Sequence, residues 1–216
     1  MTRRRMLLAT AFAVSAVFLI ATATFHMLSS GTSNTKEPPG SALERSHSHA
    51  IGPEDARVSI VEFFSPSCST CAFIHPYVKE IVDRAPEDIR LVYRYVVFDE
   101  QGEYAARIIE SARSQGLYDA VLAAVLETQP EWRQDPAMAA AWRAAEMAGL
   151  DIDKAKGELY SESINETLRT DLEDARNLDI HATPSFFVNG RPLAALSVEA
   201  LQALVQTELE DAASRR

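Results

Sequence analysis

The chain contains 216 residues, of which 47% are hydrophobic and 24% are charged, so it is long enough for one domain with additions or for two small domains. This composition excludes a chain that is disordered throughout, a collagen and a small scaffold held by many disulfides. The formal net charge of −10 argues against a nucleic-acid-binding protein, whose surface would be basic. With two cysteines, the chain can form at most one internal disulfide.

The N-terminal residues have the pattern of an export segment. Three arginines at positions 3–5 precede an apolar stretch at residues 6–28, and about 20 such residues suffice for a helix to cross a bilayer. Arginines on this side predict a cytoplasmic N-terminus and an exported body, in the periplasm or on the extracytoplasmic face. We expect residues 1–28 to be a signal anchor, with a cleavable signal peptide as the alternative. Residues 29–50, rich in small and polar residues, predict a flexible tether.

The next segment predicts two strands joined by a helix. Residues 57–64 are β-branched and aromatic on both faces, as in a strand buried on both sides, and residues 89–98 have a similar pattern. A helix is expected from Cys68 to about Arg84, with a kink at Pro76. Strand, helix and strand within about 40 residues predict a βαβ unit with a parallel pair.

Helical patterns then dominate until a short hairpin near the C-terminus. Four helices are expected, at 103–115, 117–127, 135–149 and 161–178. The hairpin is predicted by a strand at 184–188, by Asn189-Gly190 at the turn and by a return strand from Arg191. Ser197 is expected to cap the last helix.

The two cysteines form a Cys-Ser-Thr-Cys sequence at the predicted start of the first helix. Backbone N–H groups and the helix dipole stabilise a thiolate at this position, so Cys68 should be acidic and nucleophilic. Cys71, one turn further in, should be more buried and should resolve a mixed disulfide formed by Cys68. The alternatives are half of a zinc site completed by histidines, and a plain structural disulfide. We expect no cofactor beyond a redox-active Cys68–Cys71 disulfide, and no metal.

Several separated motifs resemble those of the DsbA-like branch of the thioredoxin superfamily. They are the lead-in at 52–58, the strand end at 61–65, the Cys-x-x-Cys sequence, Pro76, and Thr183-Pro184 before the strand and hairpin. The resemblance covers about residues 51–210 and implies an α/β thioredoxin fold. It implies a fold core at 51–100 and 179–212, with an all-helical insertion at 101–178.

The resemblance also implies a substrate-binding edge around the first cysteine. Pro184 would follow a cis peptide bond and would place the backbone of Thr183 beside Cys68, where an extended substrate segment could pair with it. Ser69 and Thr70, between the cysteines, would contact the same substrate.

Glu62 matches the buried acid beneath the active site of DsbA relatives. A carboxyl group in a strand buried on both faces should have a raised pKa. Such a group can accept the proton of Cys71 and return it later, which makes Glu62 a third candidate catalytic residue. In the alternative interpretation, Glu62 lies near a strand edge and is solvated.

The histidines are weaker candidates. We expect His75 at the surface or rim of the active site, and His181 could line a substrate groove. His47 and His49 lie in the predicted tether, where they could bind copper or zinc loosely.

The direction of electron flow is left open by the motif. Ser69 and Thr70 stand where strong oxidants of the family carry Pro-His, and hydroxyls bring no charge to a thiolate, so its stabilisation should be smaller.

Three hypotheses follow: an exported thiol–disulfide oxidoreductase, a disulfide reductase or isomerase, and an accessory protein for copper-site assembly. The expected substrates are protein thiols and disulfides, and a membrane or periplasmic redox partner is also expected. Residues 6–28 would contact the inner membrane if they are uncleaved. Nucleic acid is not an expected partner.

Overall fold

A computed structural model describes residues 42–215, so the predicted anchor and most of the predicted tether lie outside the described residues. Within this range, none of the helices has the length and apolar character needed to span a membrane. The strands are β1 (His49–Ile51), β2 (Val58–Phe64), β3 (Ile89–Tyr95), β4 (Ser185–Val188) and β5 (Arg191–Pro192). The α-helices are α1 (Ser69–Asp83), α2 (Glu100–Ser111), α3 (Tyr118–Glu127), α4 (Gln129–Trp132), α5 (Ala139–Met147), α6 (Ile152–Glu158), α7 (Glu162–Asn177) and α8 (Val198–Ser214).

The five strands form one mixed sheet in the order β1-β3-β2-β4-β5. β2 and β3 are parallel and are joined by α1, which confirms the predicted βαβ unit. The other three pairs are antiparallel: β1 with β3, β2 with β4, and β4 with β5. The hairpin turn is also confirmed, since Asn189 and Gly190 both have positive φ, of 46° and 79°, as a type I′ turn requires.

The two faces of β2 belong to two different buried clusters. Ile60 and Phe64 share a buried cluster with residues of α1 and α8 and of most helices in the helical segment, which lies between β3 and β4. Val61 and Phe63 belong to a second cluster with Ala175 of α7. Helix α7 contributes to both clusters, because its residues Ile164 and Leu168 belong to the first one.

The segment at 42–50 is ordered, which corrects the prediction of a flexible tether extending to residue 50. Leu43 is buried, and β1 pairs with β3. Arg45 donates to Asp174 at 2.7 Å, while His47 lies 2.8 Å from Asp171. The polar composition of this segment indicated a tether, but its polar side chains pair with acidic groups more than 120 residues away, which a local pattern does not show.

The acidic partners of this segment are buried around an arginine of β3. Arg94 has no exposed surface, and it donates to Asp171 at 2.7 Å and to Asp174 at 2.6 Å. It also donates to the carbonyl oxygens of Ala42 and Leu43. Buried charges are tolerated when they are paired and hydrogen-bonded in this way. This network attaches the N-terminal segment and α7 to the sheet.

The helical segment differs from the prediction at three places. The helix expected at 135–149 begins at Ala139, because the Asp135 carboxylate accepts from the N–H groups of Ala137 and Ala139 and so closes a turn ahead of the helix. The short helices α4 and α6 were not predicted. The cap of the last helix is confirmed, since Ser197 Oγ accepts from Ala200 N–H at 3.0 Å.

Candidate active site

The two cysteines lie at the N-terminus of α1, where the chain leaves β2. Cys68 is the N-cap residue and is half-buried, whereas Cys71 is 1% exposed. Ser69 and Thr70, between them, are exposed. Both cysteines are free thiols, and the Cys68 Sγ donates to the carbonyl oxygen of Thr183 at 3.2 Å. One thiol is thus accessible from solvent and the other lies beneath it.

The environment shifts the pKa values of the two thiols in opposite directions. Several hydrogen bonds lower the pKa of Cys68 to about 5, although burial opposes this shift. The largest effect comes from the Cys71 side chain, and smaller ones come from the side chain of Thr183 and from the backbone N–H groups of Cys71 and Thr70. Burial, and then the hydrogen bond with Cys68, raise the pKa of Cys71 well above its usual value. Hydrogen-bond donors alone lower the pKa of Cys68, because Ser69 and Thr70 bring no charge to the thiolate.

The loop before β4 forms the other side of the exposed thiol. The Thr183–Pro184 peptide bond is cis, as the resemblance implied, and Pro184 is buried while Thr183 is half-buried. A groove of about 410 Å³ runs beside this loop, with His181 and Leu196 in its lining. His181 is largely exposed and lies 2.8 Å from Asp179. His181 therefore lines a groove, and binding of a substrate in it stays a prediction.

Glu62 is on the face of β2 that contacts α1, in register with Tyr93 of β3 and Phe186 of β4. It is 2% exposed, so the alternative of a solvated strand-edge carboxyl is wrong. Its Oε2 atom is buried and has no hydrogen-bond partner. Burial, with a smaller effect of the Cys68 charge, raises the pKa of Glu62 to about 8. The carboxyl group therefore holds a proton at neutral pH.

His75 is buried, which corrects its predicted position at the surface or rim. Four residues after Cys71, it lies on the inner side of α1 with 8% exposure, and its ring centroid is 6.2 Å from that of Tyr93. Burial and then the charge of Lys79 lower the pKa of His75 to about 4. The ring is therefore neutral at physiological pH.

The other two candidate histidines are engaged in the fold. His47 bonds to Asp171, and His49 bonds to Asp119 at 2.9 Å while its ring stacks on Tyr118 at 3.8 Å. In the described part of the chain, no group of three or more His, Cys, Asp or Glu side chains is placed to hold a metal ion.

Comparison with known proteins identifies the family. A family model described as thioredoxin matches residues 44–207. The chain belongs to the thioredoxin superfamily. Its fold is that of DsbA-like members: Wolbachia pipientis α-DsbA1 superposes with a TM-score of 0.73 at 18% identity, covering 82% of this chain and 98% of that one. A thioredoxin-like oxidoreductase from Silicibacter pomeroyi superposes with a TM-score of 0.67 at 25% identity, covering 81% of this chain and 97% of that one.

Curated relatives with similar sequences are longer proteins. A Na⁺/H⁺ antiporter NhaA from Herminiimonas arsenicoxydans is 32% identical over 157 residues, which is 73% of this chain and 24% of that protein. A second such antiporter, from Salinispora tropica, is 30% identical over 172 residues, which is 77% of this chain and 26% of that protein. The chain thus spans about a quarter of the length of these relatives.

Three residues around this thioredoxin-superfamily site were missed by the sequence analysis. Tyr93 lies beside Glu62, and its buried hydroxyl has no hydrogen-bond partner. Asp99 and Gln129 bond to the loop that leads into Cys68. Asp99 could have been found from the pattern of an aspartate before a helix, because it caps α2. No local pattern marks Tyr93 or Gln129, because their roles depend on distant neighbours.

Proposed function

We propose that this protein exchanges disulfides with protein substrates outside the cytoplasm, using Cys68 and Cys71 as its reactive pair. The observation that carries the proposal is the unequal placement of the two thiols. Cys68 is accessible at a helix N-terminus, 3.2 Å from the Thr183 carbonyl oxygen, and Cys71 is buried one turn behind it. This arrangement suits one thiol for exchange with a partner and the other for resolution.

In the oxidising direction, the pair begins as a Cys68–Cys71 disulfide. A substrate thiolate attacks the Cys68 sulfur, a mixed disulfide forms, and Cys71 leaves with the electron pair of the broken bond. Protonated Glu62 gives Cys71 its proton, which the buried thiol needs because its pKa is raised by burial. A second substrate thiolate then attacks the mixed disulfide and releases Cys68 as a thiolate. The substrate loses two electrons and the cysteine pair gains them.

The backbone beside the exposed thiol offers a way to hold the substrate. Thr183 lies next to Cys68 and ahead of β4, so an extended substrate segment can pair with its backbone in the manner of an added strand. Ser69 and Thr70 follow Cys68 and are exposed, so their side chains can contact that segment.

The stabilised Cys68 thiolate favours oxidation of substrates over their reduction. A pair whose reduced form is stabilised is the stronger oxidant, as in DsbA at about −120 mV compared with thioredoxin at about −270 mV. We expect the reduction potential of the Cys68–Cys71 couple to lie closer to the first value. A potential near that of thioredoxin, measured by equilibration with glutathione, would assign the protein to disulfide reduction instead.

The copper-assembly alternative is less well supported. It needs histidines that join Cys68 and Cys71 in binding a metal, but His47 and His49 are bonded to aspartates. If the reduced protein nevertheless retains one copper ion per chain and Cys68→Ser does not, the metal-handling function is the better assignment.

Export is proposed from the sequence of the first 28 residues. The arginines at 3–5 and the apolar stretch at 6–28 predict that the folded part lies outside the cytoplasm, held to the inner membrane if the stretch is uncleaved. Fractionation of cells that produce the full chain, with protease added to spheroplasts, tests both points. A full-length chain that stays protected in the cytoplasm would refute export.

The exchange mechanism is tested with a pair of cysteine variants. Cys71→Ala should accumulate mixed disulfides with substrate proteins, because Cys68 can attack but the disulfide cannot be resolved. Cys68→Ala is the matched control and should accumulate none. If Cys71→Ala traps nothing while the wild-type protein turns over, the assigned roles are wrong.

A further inference from the structure

The loop at residues 65–67, which links β2 to Cys68, is bonded to the first turn of α2. Ser67 Oγ donates to Asp99 Oδ2 at 2.6 Å. The other carboxylate oxygen, Asp99 Oδ1, accepts from the Gly102 N–H at 2.7 Å and so caps α2. Ser65 Oγ lies 3.1 Å from Ser67 Oγ, and both serines are buried. A single carboxylate therefore joins a helix start to the active-site loop.

The loop and the helix are in direct contact at Gly102. A Cβ atom added there would lie 2.6 Å from Ser67 Oγ and 3.2 Å from Ser65 Oγ. Real Cβ atoms do not approach other atoms at the shorter of these distances, so the loop occupies the space that a side chain would need. The first turn of α2 thus supports the loop sterically as well as through Asp99.

A second helix holds the same loop from another position in the chain. Gln129 of α4 donates from Nε2 to the carbonyl oxygen of Pro66 at 2.6 Å, and Gln129 is 3% exposed. Burying an amide side chain is unfavourable unless it is hydrogen-bonded, so this contact fixes both partners. The loop is therefore held on two sides by residues of the helical segment.

The loop in turn positions the start of α1. The Cys68 N–H donates to the Ser65 carbonyl oxygen at 3.0 Å. The backbone of Ser65 also hydrogen-bonds to Cys71. A displacement of the loop would move Cys68 relative to the N–H groups of the first turn, and hydrogen bonds weaken steeply when their geometry changes.

We propose that Asp99 and Gln129 are positioning residues for the thiol pair: through Ser67 and Pro66 they hold the loop so that the first turn of α1 donates to the Cys68 sulfur. The helical segment between β3 and β4 thereby sets the reactivity of the exposed thiol. This inference rests on the proposed thiol–disulfide exchange, because it concerns how that chemistry is tuned.

The test removes each contact separately. Ser67→Ala deletes the bond to Asp99 and leaves the cap of α2 intact, and Gln129→Met keeps the length of the side chain but cannot donate to Pro66. The control is Asp151→Ala, which also removes one side-chain hydrogen bond at a helix start, from Lys154 N–H at 3.0 Å in α6, without touching the loop. Circular dichroism and urea unfolding establish that each variant folds.

Two measurements report on the thiol rather than on stability. One is the pH dependence of alkylation of the reduced protein by iodoacetamide, and the other is the equilibrium with glutathione. We expect Ser67→Ala and Gln129→Met each to raise the alkylation midpoint by about one pH unit. Each should also shift the glutathione equilibrium about tenfold towards the disulfide form. Both changes correspond to the free energy of one weakened hydrogen bond to a charged group. Asp151→Ala should leave both within about twofold of wild type.

The possible outcomes separate this inference from the proposed function. If the loop variants lose stability as Asp151→Ala does but keep the wild-type midpoint and equilibrium, Asp99 and Gln129 are structural residues and the inference is overturned. If the wild-type protein itself alkylates with the midpoint of an ordinary cysteine, about 8.5, the proposed function fails first and the inference fails with it.

Discussion

Replacing Glu62 by glutamine should make the reduced protein more stable at alkaline pH. Burial raises the pKa of Glu62 from 4.5 to about 8, so between these values the folded chain holds a proton that the unfolded chain has lost. The wild-type free energy of unfolding therefore falls as the pH rises through this window. The loss amounts to ~5 kcal/mol at most, at ~1.4 kcal/mol per pH unit. Glutamine has a similar shape and does not titrate, so the variant lacks this loss.

The assay is urea unfolding of the reduced wild-type and Glu62→Gln proteins from pH 4.5 to 8.5. The titrating thiols also change stability with pH, but they contribute to both proteins and largely cancel in the difference. Repeating the pair in a Cys68→Ala background removes the smaller effect of the Cys68 charge on Glu62. The two proteins should agree near pH 4.5 and diverge towards pH 8. A difference that stays constant to within ~1 kcal/mol across this range would refute the assignment of Glu62 as a buried protonated acid.

Three further predictions concern stability and protonation. Arg94→Leu leaves two buried aspartates without their central partner and should lower the free energy of unfolding by ~3–5 kcal/mol in urea; a loss below ~1 kcal/mol would contradict the buried network. The ring protons of His75 should titrate in NMR spectra near pH 4, so a midpoint near 6.5 would mean that the ring is solvated. Gly102→Ala should destabilise the fold by ~1–3 kcal/mol because the added Cβ meets Ser67, whereas Gly157→Ala, which meets nothing within 4 Å, should be neutral or stabilising; equal effects would show that the loop does not pack on α2.

The core of the fold and the placement of the two cysteines could be predicted because their signals are local. Apolar runs on both faces predicted β2 and β3, apolar residues at helical spacing predicted α1, and Asn189-Gly190 predicted the hairpin. The spacing of Cys68 and Cys71 at a helix start requires no knowledge of distant residues. The cis bond at Pro184 was implied only by the resemblance, since few X-Pro bonds in folded proteins are cis.

Other features depended on contacts between residues far apart in the chain. The segment at 42–50 has a tether-like composition, and its order comes from Arg94, Asp171 and Asp174, which meet only after the sheet and α7 assemble. His75 is polar and lies one turn after Cys71, so its burial was decided by what packs against α1.

The amino-acid sequence was sufficient to identify the candidate groups for the proposed chemistry: two thiols one helical turn apart, an acid in a buried strand, and a Thr-Pro before a hairpin. The environment of that chemistry arises in the folded chain. The pKa of Cys68 is lowered to about 5 by donors that converge from α1 and from Thr183, and the loop before it is held by Asp99 and Gln129. Hydrogen bonds act over about 3 Å, and only the packing of distant segments brings their partners within that distance.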